Sequence, residues 1–140
     1  MMLALAALSI AAVLVGLAGR RAFMVVTVRG HSMTPTLHDG ERLVARRWSA
    51  RARPATGDII VFQPDPLGYR IKRIAGVAGD PVPGWLARDP GGRIPPGHVI
   101  VRGDNPRSEG SRELGYIPIS TILARTARAL PARGPAGEPR

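Results

Sequence analysis

The chain has 140 residues and a mass of 14.9 kDa, which suits one domain with a modest core, and its 17 Gly and 14 Pro favour strands joined by turns over a helical bundle. It has no Cys, which excludes disulfides and thiol chemistry, and its three His are too scattered to predict a metal site. The net charge of +10 suits an anionic surface such as phospholipid, whereas the 4% aromatic content and the lack of a binding motif argue against nucleic acid.

The chain begins with 19 residues that carry no charged side chain, and this run stops at Arg20 and Arg21. As a helix it would be about 28 Å long, close to the thickness of the hydrocarbon core of a bilayer. We therefore predict a transmembrane anchor over residues 1–21. A cleaved secretory signal is the alternative, because Gly16 and Ala18 are small residues at the spacing of a cleavage site, but no basic residue precedes the apolar run. Charge leaves the side open, since the arginines favour a cytoplasmic flank and that rule is weak for long translocated domains.

The chain from residue 22 to residue 130 predicts a mainly β catalytic domain, a compact antiparallel sheet or barrel. Short β-branched runs lie between turn residues, and these runs are FMVVTV, RLVARR, GDIIVFQP, YRIKRIAGV and GHVIVRGD. A short helix is expected near ISTILART. Residues 131–140 form a basic Pro/Gly tail without an apolar face, which predicts disorder.

Ser32, between a Gly-His pair and a Met-Thr-Pro turn, is a candidate nucleophile that would need a base to take its proton. His31 would project away from it on a strand, and His38 and His98 have no acidic partner at a recognisable spacing. A neutral lysine is the alternative base, and Lys72 is the single lysine among 20 Lys and Arg residues. Arginine cannot serve, because it stays protonated.

The alternation of a strand places Lys72 on the same side as Ile74, with Arg73 on the opposite side. A side chain on an apolar face would have the lowered pKa that a base requires. The alternative is that Lys72 and Arg73 are a solvated pair on a strand, without a role in chemistry.

Four stretches, in this order, resemble the conserved boxes of type I signal peptidases, the Ser/Lys membrane proteases of the S26 family: GHSMTPTLHDGE, GDIIVFQ, YRIKRIAGVAGD and GDNPRSEGSRELGYIP. The resemblance covers roughly residues 26–118 and the anchor. It implies a β-rich domain outside the cytoplasm, Ser32 as nucleophile and Lys72 as general base. It also implies a preference for small side chains just before the cut.

The resemblance gives roles to further residues near the nucleophile. Met33 and Pro35 match the Ser-Met-x-Pro turn and would shape the substrate groove. Gly30 stands where some members have a serine that binds the oxyanion, so backbone N–H groups, including that of Ser32, would have to form the oxyanion hole. Ser108 resembles the serine that orients the lysine.

Asp104, Arg73 and Arg112 resemble an ionic cluster that holds the glycine-rich box against the lysine strand; plain surface charge is the alternative for each. The box departs from the family pattern at Gly110, which stands where an Asp is expected, after a spacer one residue short. Either Glu109 substitutes for that Asp or a carboxylate is missing. If it is missing, Gly110→Asp should preserve or raise activity.

These patterns predict a single-pass membrane serine endopeptidase, with its catalytic domain on the extracytoplasmic side, that removes signal peptides from exported preproteins. The expected partners are these substrates and membrane lipid, and no metal, cofactor or nucleic acid is expected. Two alternatives remain. One is a maturation peptidase of the same family dedicated to one substrate. The other is a non-enzymatic, membrane-anchored basic module, favoured by the charge and by the altered SEGSR box.

Overall fold

The computed structural model describes residues 2–66, 68–86 and 91–126. The predicted tail over residues 131–140 therefore lies outside the described residues. The elements are α1 Met2–Ala22, β1 Phe23–Thr27, β2 Arg42–Arg47, β3 Ile59–Asp65, β4 Gly68–Val77, β5 His98–Arg102, α2 Ser111–Leu114, β6 Ile117–Pro118, a 3-10 turn Ile119–Thr121 and β7 Ile122–Thr126.

Helix α1 is apolar up to Arg20, and its residues 4–21 are exposed. Its segment Ala4–Ala22 has 19 residues with a mean hydropathy of 1.6, and none of it is buried against the rest of the protein. By length and composition it is able to cross a membrane, as the sequence predicted. Strand β1 begins at the residue after the helix, so the sheet starts directly at the end of this segment.

The strands form one antiparallel sheet in the order β1-β2-β7-β3-β4-β5-β6. The mainly β class predicted from the sequence is confirmed, and all five predicted runs contain a strand. Near ISTILART a short 3-10 helix is present over Ile119–Thr121, but the rest of the segment is strand β7 and not helix. Strand β7 pairs with β2 and β3, and its Ala124 is fully buried opposite Val61.

The sheet coils so that the end of β1 approaches the start of β4, although the two strands are not neighbours in the sheet order. The hydroxyl of Tyr69 in β4 donates a hydrogen bond of 2.8 Å to the carbonyl of Thr27 in β1. One apolar cluster fills the coil, and it includes Val26, Met33 and Ile71. The coil thus brings the loop after β1 next to β4.

Two further apolar clusters complete the core. One lies under β3, β4 and β5 and includes Ile60, Phe62 and Ile74. The other packs Leu86 and Ile94 of the segment after β4 against Ile100, and Trp85 and Tyr116 lie on it. Strand β4 is packed on both faces by these clusters and is a rigid support for any residue it carries.

Candidate active site

Ser32 lies in the loop between β1 and β2, which is fixed at its base and at its tip. At the base, the Val28 N–H donates to the Glu41 carbonyl at 2.7 Å, and the Gly40 N–H donates to the Val28 carbonyl at 2.9 Å. Near the tip, Met33 and Leu37 are each 1% exposed in the apolar core. The half-buried Ser32 precedes the first of these anchors, so its backbone has little freedom.

Lys72 lies on the buried face of β4, opposite Ile60 in β3 and beside Ile74, as the strand alternation predicted. Its side chain is 4% exposed. Burial lowers the pKa of Lys72 below the ordinary lysine value, the nearby Arg70 guanidinium lowers it further, and Glu109 and Glu113 partly oppose this. Among the described residues Lys72 has no ion-pair partner, so the two glutamates act on it only from a distance.

Ser32 and Lys72 line one cavity of about 410 Å³. The other lining residues are Val28, Arg29, His31, Met33, Tyr69, Arg70, Ile71, Asn105, Arg107, Ser108 and Glu109. No hydrogen bond joins Ser32 to Lys72 within the described part of the chain; catalytic hydrogen bonds are often long before substrate binds. His31 also reaches this cavity but is exposed.

Asn105 holds the Ser32 loop by two hydrogen bonds. Its backbone N–H donates to the Ser32 carbonyl, and its side-chain amide donates to the His31 carbonyl, both at 3.0 Å. Gly103 allows this approach, because a Cβ there would overlap the Ser32 carbonyl oxygen and the Ser108 hydroxyl. Neither Asn105 nor Gly103 was predicted to have a role, although both lie in the GDN triplet of the fourth box.

Two of the three residues expected in an ionic cluster meet. Arg73 binds Asp104 with two charge-assisted hydrogen bonds, Nε to Oδ1 at 2.8 Å and Nη2 to Oδ2 at 2.7 Å. The Thr36 hydroxyl also donates to Asp104, and Arg73 donates to the Gly57 carbonyl. The hydrogen bonds from Arg73 and, to a smaller extent, from Thr36 lower the pKa of Asp104, so the carboxylate stays ionised at neutral pH. The cluster ties β4 to both the Ser32 loop and the GDN triplet.

Arg112 does not join this cluster. It lies exposed on α2 and has no ion-pair partner in the described ranges. The physical reason is the course of the backbone after Gly110, where α2 begins and turns Arg112 toward solvent. The further hydrogen bond to Asp104 comes instead from the Thr36 hydroxyl.

The other predicted residues have mixed surroundings. Ser108 lines the cavity, but its hydroxyl donates to the Asn105 carbonyl at 2.8 Å and forms no hydrogen bond with Lys72. Met33 lines the cavity from the core, whereas Pro35 is exposed and outside it. The Gly30 N–H donates to Asp39 at 2.7 Å, so it is not free to bind an oxyanion.

Gly110 is buried, and the backbone of β5 passes close to it. A Cβ at this position would lie 2.9 Å from the Val101 carbonyl oxygen. The Gly110 N–H donates a hydrogen bond of 2.8 Å to the Glu113 carboxylate, so a second carboxylate here would also lie close to a negative charge. The structure therefore contradicts the expectation that an aspartate fits here. Glu109, the suggested substitute, is exposed and pairs with Arg70 at 2.8 Å.

We expect Gly110→Asp to destabilise the protein by about 1–3 kcal/mol, because the new side chain must displace the backbone of β5. Thermal unfolding would measure this. Gly84→Asp is the matched control, since Gly84 has no atom within 4 Å of an added Cβ. Equal melting temperatures for the two variants would show that the β5 backbone yields without cost.

One cavity on a β scaffold therefore contains a half-buried serine and a buried lysine of lowered pKa, and the scaffold follows an apolar helix that is able to cross a membrane. The family model described as "Signal peptidase, peptidase S26" matches residues 1–84, which is more than half of the chain and includes both Ser32 and Lys72. The chain belongs to the S26 peptidase family.

Two relatives support this assignment. The chain is 35% identical over 123 residues to a probable signal peptidase I-1 of Synechocystis sp., in a match that covers 66% of this chain. It is 32% identical over 115 residues to mitochondrial inner membrane protease subunit 2 of Danio rerio, in a match that covers 76% of this chain. The chain spans 63% of the length of each relative.

Proposed function

We propose that the protein is a membrane-anchored serine endopeptidase that removes signal peptides from exported proteins. The observation that carries this proposal is the presence of Ser32 and the buried Lys72 in one cavity. Membership of the S26 family and the names of the two relatives support the substrate class. A non-enzymatic basic module would have no need for an ionisable amine buried beside a serine.

In the proposed reaction the Ser32 Oγ attacks the carbonyl carbon of the scissile bond while neutral Lys72 Nζ takes its proton. The N–H of Ser32 is not used in the hydrogen bonds of the described backbone, so it is free to donate to the developing oxyanion. The Lys72 ammonium then returns the proton to the leaving amine. Water, deprotonated by Lys72, cleaves the acyl-enzyme and restores Ser32.

An open strand edge next to the cavity would hold the substrate. Strand β4 pairs with β5 only from Arg73 onward, so its first half, Gly68–Lys72, has no strand partner on that side within the described residues. Tyr69, Arg70 and Ile71 of this half line the cavity. An extended peptide pairing with this edge would pass its backbone in front of Ser32.

The test is acylation of the full chain, in detergent, by a serine-directed probe, together with cleavage of a signal-peptide substrate. We expect mass spectrometry to place the probe on Ser32, with no labelling and no cleavage by the Ser32→Ala protein. A folded protein that neither reacts with the probe nor cleaves any member of a panel of signal peptides would reject the proposal. Cleavage of one panel member alone would favour a dedicated maturation peptidase.

The pH dependence of cleavage should follow the neutral fraction of Lys72, with a rate that rises through a pKa below the ordinary lysine value. Arg70→Gln removes a positive charge that lowers this pKa, so the rising limb should move to higher pH. Glu109→Gln removes a negative charge that raises it and should move the limb to lower pH. Profiles of kcat/KM against pH would measure both shifts.

Arg107→Gln is the control for these profiles. Arg107 lines the same cavity but is not among the charges that shift the pKa of Lys72. Its variant should keep the position of the rising limb even if its KM changes. If the rising limbs of the Arg70→Gln and Glu109→Gln profiles move in the same direction, the limb does not report the protonation of Lys72.

The domain is proposed to lie on the extracytoplasmic side, because signal peptides must be removed after translocation. Protease added to intact cells or spheroplasts should therefore degrade the domain that follows α1. A cytoplasmic marker protein in the same sample is the control for leakage. Protection of the domain until lysis would reverse the orientation.

A further inference from the structure

Four arginines line a second cavity, at the end of the sheet where the membrane helix stops. Arg46 and Arg47 end β2, Arg51 follows in the next turn, and Arg125 lies in β7. The cavity has a volume of about 230 Å³ and is also lined by Trp48, Ser49 and Ala52. It shares no lining residue with the cavity that contains Ser32 and Lys72. We refer to it as the arginine cavity.

The strand register places the arginine cavity beside the end of α1. Phe23, the first residue after the helix, pairs with Arg46, which in turn pairs with Arg125. Neighbouring strands lie about 4.8 Å apart, so these arginine backbones lie roughly 5 and 10 Å from that of Phe23. The headgroup layer of a bilayer is about 5–7 Å deep on each side. With α1 across a bilayer, the arginine cavity lies at the level of the headgroups.

The surface around these arginines is apolar where it adjoins the membrane. Phe23 and Val25 of β1 are 42% and 54% exposed, and Leu123 of β7 is 37% exposed. Cross-strand partners share a face of the sheet, so Phe23, Arg46 and Arg125 point to the same side. Exposed apolar side chains among arginines are typical of a surface that contacts a bilayer, with apolar groups at the acyl boundary and cations at the phosphates.

The positive charge of the cavity is largely uncompensated. Asp58 accepts a hydrogen bond of 3.1 Å from Arg125, and it is the single acidic partner of these four arginines within the described residues. Arg46, Arg47 and Arg51 are exposed and form no ion pair there. Like charges around one small space repel each other, and an anion inside it would relieve this repulsion. The fork of N–H donors on arginine matches phosphate oxygens.

We propose that the arginine cavity binds the phosphate of an anionic phospholipid in the leaflet where α1 ends. Arg46, Arg47 and Arg51 would hold the phosphate, and Trp48 would lie at the headgroup level, as interfacial tryptophans do. Such binding would fix the domain against the membrane at the end of the sheet where α1 stops. It requires no peptidase activity, so it stands apart from the proposed function.

The test uses the full chain, with Trp85→Phe so that Trp48 is the one fluorophore of its kind, in nanodiscs of phosphatidylcholine with increasing fractions of phosphatidylglycerol. We expect a saturable change in Trp48 emission. The Arg46→Gln/Arg47→Gln/Arg51→Gln protein should bind about a hundredfold more weakly and should not saturate over the same range of phosphatidylglycerol, since each arginine near an anionic surface contributes about fivefold to binding.

The control triple variant is Arg42→Gln/Arg93→Gln/Arg112→Gln, which removes the same charge from exposed positions outside both cavities and should keep the wild-type response. Circular dichroism checks that both variants are folded. Equal responses of the two triple variants would overturn the proposal. So would a wild-type response in phosphatidylcholine alone, which would indicate apolar contact, or the same response to inorganic phosphate, which would indicate a site for free anions.

Discussion

Lys72→Arg is expected to lower peptide cleavage by about 10²- to 10⁴-fold, the range that loss of one positioned general base typically costs. The substitution keeps the charge and most of the length of the side chain, but arginine stays protonated at any working pH and has no lone pair for the proton of Ser32. Lys72 is able to accept that proton because burial lowers its pKa. Measurement of kcat/KM with a signal-peptide substrate tests this.

Arg70→Lys is the matched control, because it exchanges the same two residue types two positions earlier on β4 and keeps the charge beside Lys72. It should retain most of the activity. Lys72→Met is the second variant: it fills a similar volume without a charge, so it should melt no lower than the wild-type protein and should still fail to cleave. Near wild-type cleavage by folded Lys72→Arg protein would exclude the Ser/Lys mechanism and return His31, which lines the cavity, as the base.

The strands that could be predicted are those whose signal is local. The runs that became β1 to β5 combine β-branched residues with flanking Gly, Pro or Asp, and each of these features acts within a few residues. Strand β7 lacks such a signal, since the apolar spacing of ISTILART also fits a helix. Its conformation is decided by pairing with β2 and β3, as in the contact of Ala124 with Val61, which lies far away in the sequence.

The two reactive residues of the site could also be predicted from a local signal. The residues that hold them in place could not. Ser32 and Lys72 are marked by their residue types, because one lysine in an arginine-rich chain is visible in the sequence. Asn105 acts through a backbone N–H and an amide on the carbonyls of a loop about seventy residues earlier, and no spacing rule reports that approach. The exposed position of Arg112 could not be predicted from the sequence, because the direction of its side chain depends on where α2 begins.

Gly103→Ala should reduce cleavage at least about a hundredfold, because the new Cβ overlaps the Ser32 carbonyl, and a nucleophile displaced by roughly 1 Å can lose that much rate. The new Cβ would also lie 2.9 Å from the Ser108 Cβ, and the Ser32 carbonyl oxygen is backbone and moves only with the Ser32 loop. Gly84→Ala, with open space around its Cβ, is the control and should keep full activity. Melting curves separate a displaced loop from an unfolded protein, since the loss should exceed what the unfolded fraction explains. If folded Gly103→Ala protein cleaves as fast as Gly84→Ala protein, close contact between the GDN triplet and the Ser32 loop is not what positions the nucleophile.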